Sequence, residues 1–253
     1  MNTSSFFSLQ RFFLVLRRDM VLNQKTLLIG LAAMSGLLLV QSVIQTYASG
    51  GVFSLEAFSG SGITYFFVFG YVVASMVFKE LHVPARSQFF LTLPASNLEK
   101  VAAAWVVSAP LYVVGVFLAL TLISLLAALL NALLFGSALL VFNPFTTMNL
   151  YAAGVFLVTH SIFFLGAVYF RKNNFLKTIL SLFVISVAIS MLAGLMGYLF
   201  FGTTSFTINE QTTIGTPDFI TEFLPTMAKI VFWGIVGPFF LIVSYFRFKE
   251  REV

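Results

Sequence analysis

Apolar residues in this chain come in long unbroken runs, with the charged residues gathered between them. Six runs stand out, at 26–48, 62–81, 101–130, 150–170, 178–201 and 225–246. Each is about twenty residues or longer, the length an α-helix needs to cross a hydrocarbon layer roughly 30 Å thick. No strict apolar–polar alternation is present, so a β-barrel is excluded. Backbone polar groups inside lipid must then be satisfied within helices. The pattern predicts an all-α, polytopic integral membrane protein with six transmembrane helices. The third run is long enough to be tilted or broken, and Pro110 marks a kink within it. Its apolar tail, 131–142, ends at Asn143-Pro144 and reads as an interfacial or re-entrant piece.

Ahead of the first run, residues 4–24 place Leu9, Phe12, Phe13, Leu16 and Met20 on one helical face. Gln10, Arg11, Arg17 and Arg18 lie largely opposite. That pattern suits an amphipathic elbow helix lying in the interface, its arginines near anionic headgroups. The competing reading is a simple flank of the first span.

Composition strengthens the class. Of 253 residues, 59% are hydrophobic and only 9% charged, against roughly a quarter charged in soluble domains. With no cysteine, disulfides and thiolate metal sites are excluded. The net charge of +5 does not make a nucleic-acid surface, because the basic residues sit in small groups at the ends of runs. Phe12–Leu16 is too short, and too closely followed by Arg17 and Arg18, to read as a cleavable signal.

Charge also sets an orientation. One side collects Arg11, Arg17, Arg18, Lys25, Lys79, Arg86, Lys100, Arg171, Lys172, Lys177, Arg247, Lys249 and Arg251. The loops on the other side (49–61, 131–149 and 202–224) hold no lysine or arginine and carry Glu56, Glu210, Asp218 and Glu222. The positive-inside rule makes the basic side cytoplasmic, with both termini there. All of 1–253 reads as one membrane domain.

Candidate chemistry is sparse. His160, between Thr159 and Ser161 near the middle of the fourth run, suits an interhelical hydrogen bond or a substrate contact. Gln41 and Gln45 share a face of the first span toward its outer end, in the headgroup zone or beside an exit path. Lys229 is the one cation away from the basic side, placed to snorkel outward toward Glu222. Gly194 and Gly197, with Ser190 and Ala193, form two small-xxx-small pairs suited to helix packing. Gly237-Pro238 marks a kink in the last run. Two histidines without intramembrane acids cannot build a metalloenzyme centre, so no metal or other cofactor is expected. Acids lie only at run ends and in loops, which leaves an ion-coupled carrier without its buried carboxylate. A structural subunit of a membrane complex, or a stand-alone transporter or channel, remains as the alternative.

The segment 79–100 is charged at both ends and apolar in the middle, where Phe89, Phe90, Leu91 and Leu93 make a hydrophobic patch between Pro84 and Pro94. Such a patch fits either a soluble partner's groove or the membrane interface. Leu93-Pro94-Ala95-Ser96-Asn97-Leu98-Glu99-Lys100, between the second and third runs, resembles the coupling phrase of permease subunits of bacterial type-2 ATP-binding-cassette exporters. The basic turn Tyr169–Thr178, the six spans, the N-terminal elbow and the basic tail are similar to that family too. Glu80 is the only acid before the phrase, fewer than the family usually carries.

The resemblance implies a coupling segment (82–100, with 79–81 leading in) that docks a separate ATPase through Glu80, Arg86, Phe89, Phe90, Leu93 and Pro94. It also implies pairing with a second copy or a related permease, and a bacterial inner-membrane location. The chain itself has no GxxxxGK[ST] loop to cradle a nucleotide.

Overall fold

The structure is a computed structural model that describes residues 7–83, 87–88, 92–201 and 223–250. The described elements are α1 (Leu9–Ala48), α2 (Leu55–Met76), a 3₁₀ turn (Lys79–His82), α3 (Asn97–Ser108), α4 (Pro110–Phe135), α5 (Thr147–Tyr169) and α6 (Asn174–Phe201). A last helical rod follows: α7 (Leu224–Ile230), a π-helical stretch (Val231–Val236) and α8 (Gly237–Lys249). Six of these rods are long and apolar enough to cross a membrane, with α3–α4 and α7–α8 each counting as one. The chain is a multi-pass membrane protein.

The first helix departs from the elbow expectation. Leu9–Ala48 is one unbroken α-helix of 40 residues, about 60 Å long. Between Asp19 and Thr26 there is no glycine, proline or capping arrangement to stop it, so helical hydrogen bonding simply propagates. The flank reading therefore holds for the described part of residues 4–24, and no separate interfacial helix is seen among the described residues.

The third span is the matching long rod. Residue Ala109 leaves the helical region (φ −114°, ψ −84°), and Pro110 opens α4 at its first turn. This is the expected break, because a proline ring disfavours helical geometry in the residue before it and removes one donor. Rod α1 runs parallel to α3–α4 in constant register along its whole length. Ser8 meets Glu99 and Ser42 meets Asn131, separations of 91 and 89 residues.

Around this pair, α2 and α5 pack through an aromatic core. Phe66, Phe117, Tyr112 and Phe156 surround one another, with Phe66 and Phe156 centroids 4.7 Å apart. The Tyr71 ring stacks on Phe163 at 4.2 Å, and its hydroxyl donates to Thr159 Oγ1 (2.8 Å), whose own hydrogen goes to the Val155 carbonyl. Close approach is possible because position 70 is glycine: a Cβ there would fall into the Phe156 ring and within 2.8 Å of Tyr112.

The tail of the third run is helical as far as Phe135, where Gly136 caps the helix in the left-handed region (φ 69°). Residues 137–142 have no regular secondary structure and fold back along α4. The Phe142 amide donates to Ser124 Oγ (2.9 Å) and its ring meets Phe117 edge-on. Ser124 lies 11 residues before Phe135, about 16 Å back along the helix. The segment folds back on α4 without forming a helix.

In the last rod, Val236 and Gly237 keep helical φ and ψ, so the helix continues through Gly237-Pro238. A π-helical stretch, Val231–Val236, lies just before it, the kind of local adjustment that accommodates a proline's missing donor. Helix α8 packs closely on α5, where a Cβ at Gly237 would sit 4.0 Å from Val158 Cα. By contrast, α6 leans on the bundle through its first turn, at Thr178 beneath Gly166, and exposes most of its remaining length.

Candidate functional site

At the basic end of the bundle, α1 and α3 meet at Glu99. The first turn of α3 forms a capping box: Ser96 Oγ accepts from the Glu99 amide (3.2 Å), and Glu99 Oε2 accepts from the Ser96 amide (2.8 Å). The other carboxylate oxygen accepts from the Ser8 amide at 2.6 Å and faces Arg11 Nη2 at 3.1 Å. Glu99 is fully buried, 0% exposed, and Lys100 beside it is 2% exposed. One carboxylate therefore closes both the N-terminus of α3 and the N-terminus of α1. Burial by itself would raise the Glu99 carboxyl. The Ser8 and Ser96 amides and the Arg11 guanidinium outweigh burial and hold it below its ordinary range.

A second polar link sits one level along. Arg18 reaches Glu80 Oε2 at 2.5 Å and Asp19 Oδ1 at 3.0 Å, joining α1 to the 3₁₀ turn after α2. His82 Nε2 donates to the Ala167 carbonyl (2.8 Å), tying that turn to α5. Asn174 Nδ2 donates to the Ser75 and Ala167 carbonyls at 3.3 and 3.4 Å. Beneath these links Phe78, Phe164 and Phe248 pack together, fully buried, with Leu81, Val101 and Ala104. The two ends of segment 79–100 are thus anchored in the bundle by separate networks.

Of the coupling residues named from sequence, Glu80 is the acid held by Arg18. Leu93 is half-buried against the protein's own Phe78–Phe164 cluster, and Pro94 is exposed. Arg86, Phe89 and Phe90 lie outside the described residues, as does Glu222, the expected neighbour of Lys229. Lys229 itself is exposed in the last turn of α7.

Gln41 bridges α1 and α2: its Nε2 donates to Ser61 Oγ (2.8 Å), and its Oε1 accepts from the Tyr65 hydroxyl (2.9 Å). Gln45, one turn on, is half-buried and makes no side-chain hydrogen bond among the described residues. Gly194 faces open space rather than a neighbouring helix, while Gly197 is buried.

His160 is fully buried between the Phe156 and Phe164 rings. The Ser108 hydroxyl gives its hydrogen to the Ala104 carbonyl (2.8 Å), so it accepts from His160 Nε2 at 3.0 Å. Nδ1 is then the bare acceptor and has no partner among the described residues. Ser108 directly precedes the break at Ala109, and all 26 residues of α4 lie beyond it, about 39 Å of helix. His160 lies near the middle of α5, level with the α3–α4 break of the third rod.

Several residues that organise these contacts were not singled out from sequence. Asn131, fully buried, donates to Ser42 Oγ (3.3 Å) and the Ala127 carbonyl (2.8 Å), pinning the far end of α1 to α4. Tyr112 donates to the Phe66 carbonyl (2.9 Å). Polar residues within apolar runs were the available signal for both. Among the described residues no group of three or more His, Asp or Glu side chains is placed to hold a metal ion. No protein-family model, curated protein or solved structure matches the chain.

Proposed function

We propose that this chain is the membrane-spanning permease subunit of an ATP-binding-cassette exporter, coupled through segment 79–100 to an ATPase carried on a separate polypeptide. The carrying observation is the phrase Leu93–Lys100, set between the second and third spans with Glu99 buried at its end. In this reading the basic side faces the bacterial cytoplasm, with both termini there. Two such units, identical or related, would line the pathway within the membrane lipid. The chain would do no catalysis and hold no nucleotide or other cofactor.

The contacts around Glu99 support the reading mechanically. Closure of the ATPase dimer would push on the patch that holds Phe89 and Phe90. The push would pass through the capping box of α3 to Ser8 and Arg11 of α1. Because α1 and α3–α4 share one register from end to end, they would tilt as a unit against α2, α5 and α8. Rigid-body rocking of this kind is a standard two-state device.

Affinity purification from the native membrane in mild detergent, with mass spectrometry of retained proteins, tests the proposal. A stoichiometric ATPase is expected, and replacing Phe89 and Phe90 together by Ala is expected to reduce its recovery. A well-folded protein that retains no ATPase, or undiminished recovery with the double variant, would overturn the coupling role.

A further inference from the structure

Three helix ends meet over two adjacent rings at the basic end of the bundle. Tyr169 closes α5 and Phe170 follows it, their ring centroids 5.2 Å apart. From the last turn of α8, the Arg247 guanidinium lies over the Tyr169 ring at 5.1 Å. From the first turn of α6, Lys177 Nζ lies 5.9 Å from the centre of the Phe170 ring. A ring face holds a cation in place without neutralising it. Arg171 and Lys172, both exposed, occupy the turn between Phe170 and α6. The frame beneath is fixed: Asn174 ties the start of α6 to the Ser75 and Ala167 carbonyls, and Thr178 fills the space over Gly166.

Positive charge at this place has little to offset it. No Asp or Glu occurs anywhere between Glu99 and Glu210. Glu250, just past α8, pairs with Arg247. Arg171, Lys172 and Lys177 are left without an acid partner among the described residues.

The surface next to these cations is apolar and open. On α6, Leu180 and Val184 share the helical stripe of Lys177, one and two turns on, and both are exposed. On α5 the strip that starts beside Gly237 opens step by step toward the basic end. Val158 is buried, Ile162 and Leu165 are half-buried, and Tyr169 is 54% exposed. Cations at the rim of a membrane-facing apolar surface, with an exposed tyrosine at the boundary, match the headgroup level of a bilayer. A soluble acidic partner would meet only the cations, whereas a phospholipid presents an anion and then hydrocarbon in the order this surface requires.

We infer that an anionic phospholipid binds at the end of α5, its phosphate held by Arg171, Lys172 and Lys177 beside the Arg247–Tyr169 contact, one acyl chain lying along Leu165 and Ile162. The site belongs to the single chain and does not require an ATPase, so it stands or falls separately from the function proposed above.

Native mass spectrometry of the detergent-purified, delipidated protein provides the test, with phosphatidylglycerol and phosphatidylcholine of matched acyl chains added in equal amounts. The first phosphatidylglycerol adduct is expected to be favoured by about tenfold or more, in keeping with several cations near one headgroup. Arg171→Gln combined with Lys172→Gln, at exposed turn positions, is expected to lower that preference, and adding Lys177→Gln to abolish it. Arg17→Gln combined with Lys25→Gln removes as much charge as the turn pair from exposed positions on α1 and is expected to leave the preference intact. Equal binding of the two lipids by the unaltered protein would overturn the inference, as would an undiminished preference in the triple variant. So would a loss in the α1 variant equal to that in the turn pair, because diffuse charge at the basic end would then select the lipid.

Discussion

Removing the Glu99 carboxylate should loosen the N-terminus of α1 and the N-terminus of α3 together, although the two lie 91 residues apart in sequence. In Glu99→Ala the Ser8 and Ser96 amides lose acceptors at 2.6 and 2.8 Å. Hydrogen bonds to a charged group are worth about 1.5–3 kcal/mol each, so the pair amounts to roughly 3–6 kcal/mol. The Arg11 contact adds little, about 0–1 kcal/mol, because that side chain is 38% exposed and water screens it. Glu99→Gln keeps one carbonyl acceptor but turns an NH₂ toward the other donor, and should lose about half as much.

Hydrogen–deuterium exchange of the detergent-purified protein reads the effect directly, since local opening is governed by local free energy. Each helix N-terminus loses one such bond, so at about 1.4 kcal/mol per decade peptides covering residues 8–20 and 96–108 should each exchange roughly ten- to a hundredfold faster in Glu99→Ala. The Gln variant should fall between that and the unaltered protein. Peptides from α5, held by the Phe66–Phe156 core, should be unchanged. Acceleration confined to 96–108, with 8–20 still protected, would refute the reasoning, because it would mean that Glu99 caps only its own helix.

Acid should produce the same loosening without a substitution. Glu99 is held below its ordinary value of 4.5 by its folded-state partners, so its contribution is complete above that value and is lost as pH falls through the depressed one. Protection of residues 8–20 should therefore be flat from pH 8 to about pH 5 and fall at lower pH, which exchange corrected for its intrinsic pH dependence will show. Gly70→Ala should lower thermal stability by about 1–3 kcal/mol, since its Cβ meets the Phe156 and Tyr112 rings. Gly194→Ala, in open space on α6, should be neutral or stabilising by up to about 1 kcal/mol, and detergent-phase melting compares the two. Single cysteines introduced at Lys172 and Glu56 should label with an impermeant maleimide from opposite sides of the membrane, and labelling from the same side would refute the three crossings between them.

The all-helical class and the six helices long and apolar enough to cross a membrane were legible before any packing was known. Those follow from the length of apolar runs and from the cost of unsatisfied backbone groups in lipid, both local properties of the chain. The break before Pro110 was legible for the same reason, since it is written in the covalent geometry of one residue pair. Amphipathicity at 4–24 suggested an elbow, but a helix stops only at a breaker or a cap, and none stands between Asp19 and Thr26. The site was legible only as a phrase. That Glu99 would be buried against Ser8 and Arg11, that Gln41 would pair with Ser61 and Tyr65, and that Leu93 would turn inward all depend on which helices become neighbours. The pairing of His160 with Ser108 depended likewise on the offset between α5 and the long α3–α4 rod. Neighbours and offsets are set by packing between segments distant in sequence, through features such as Gly70 beneath Phe156 that carry no periodic signature. Only the assembled tertiary structure decides them.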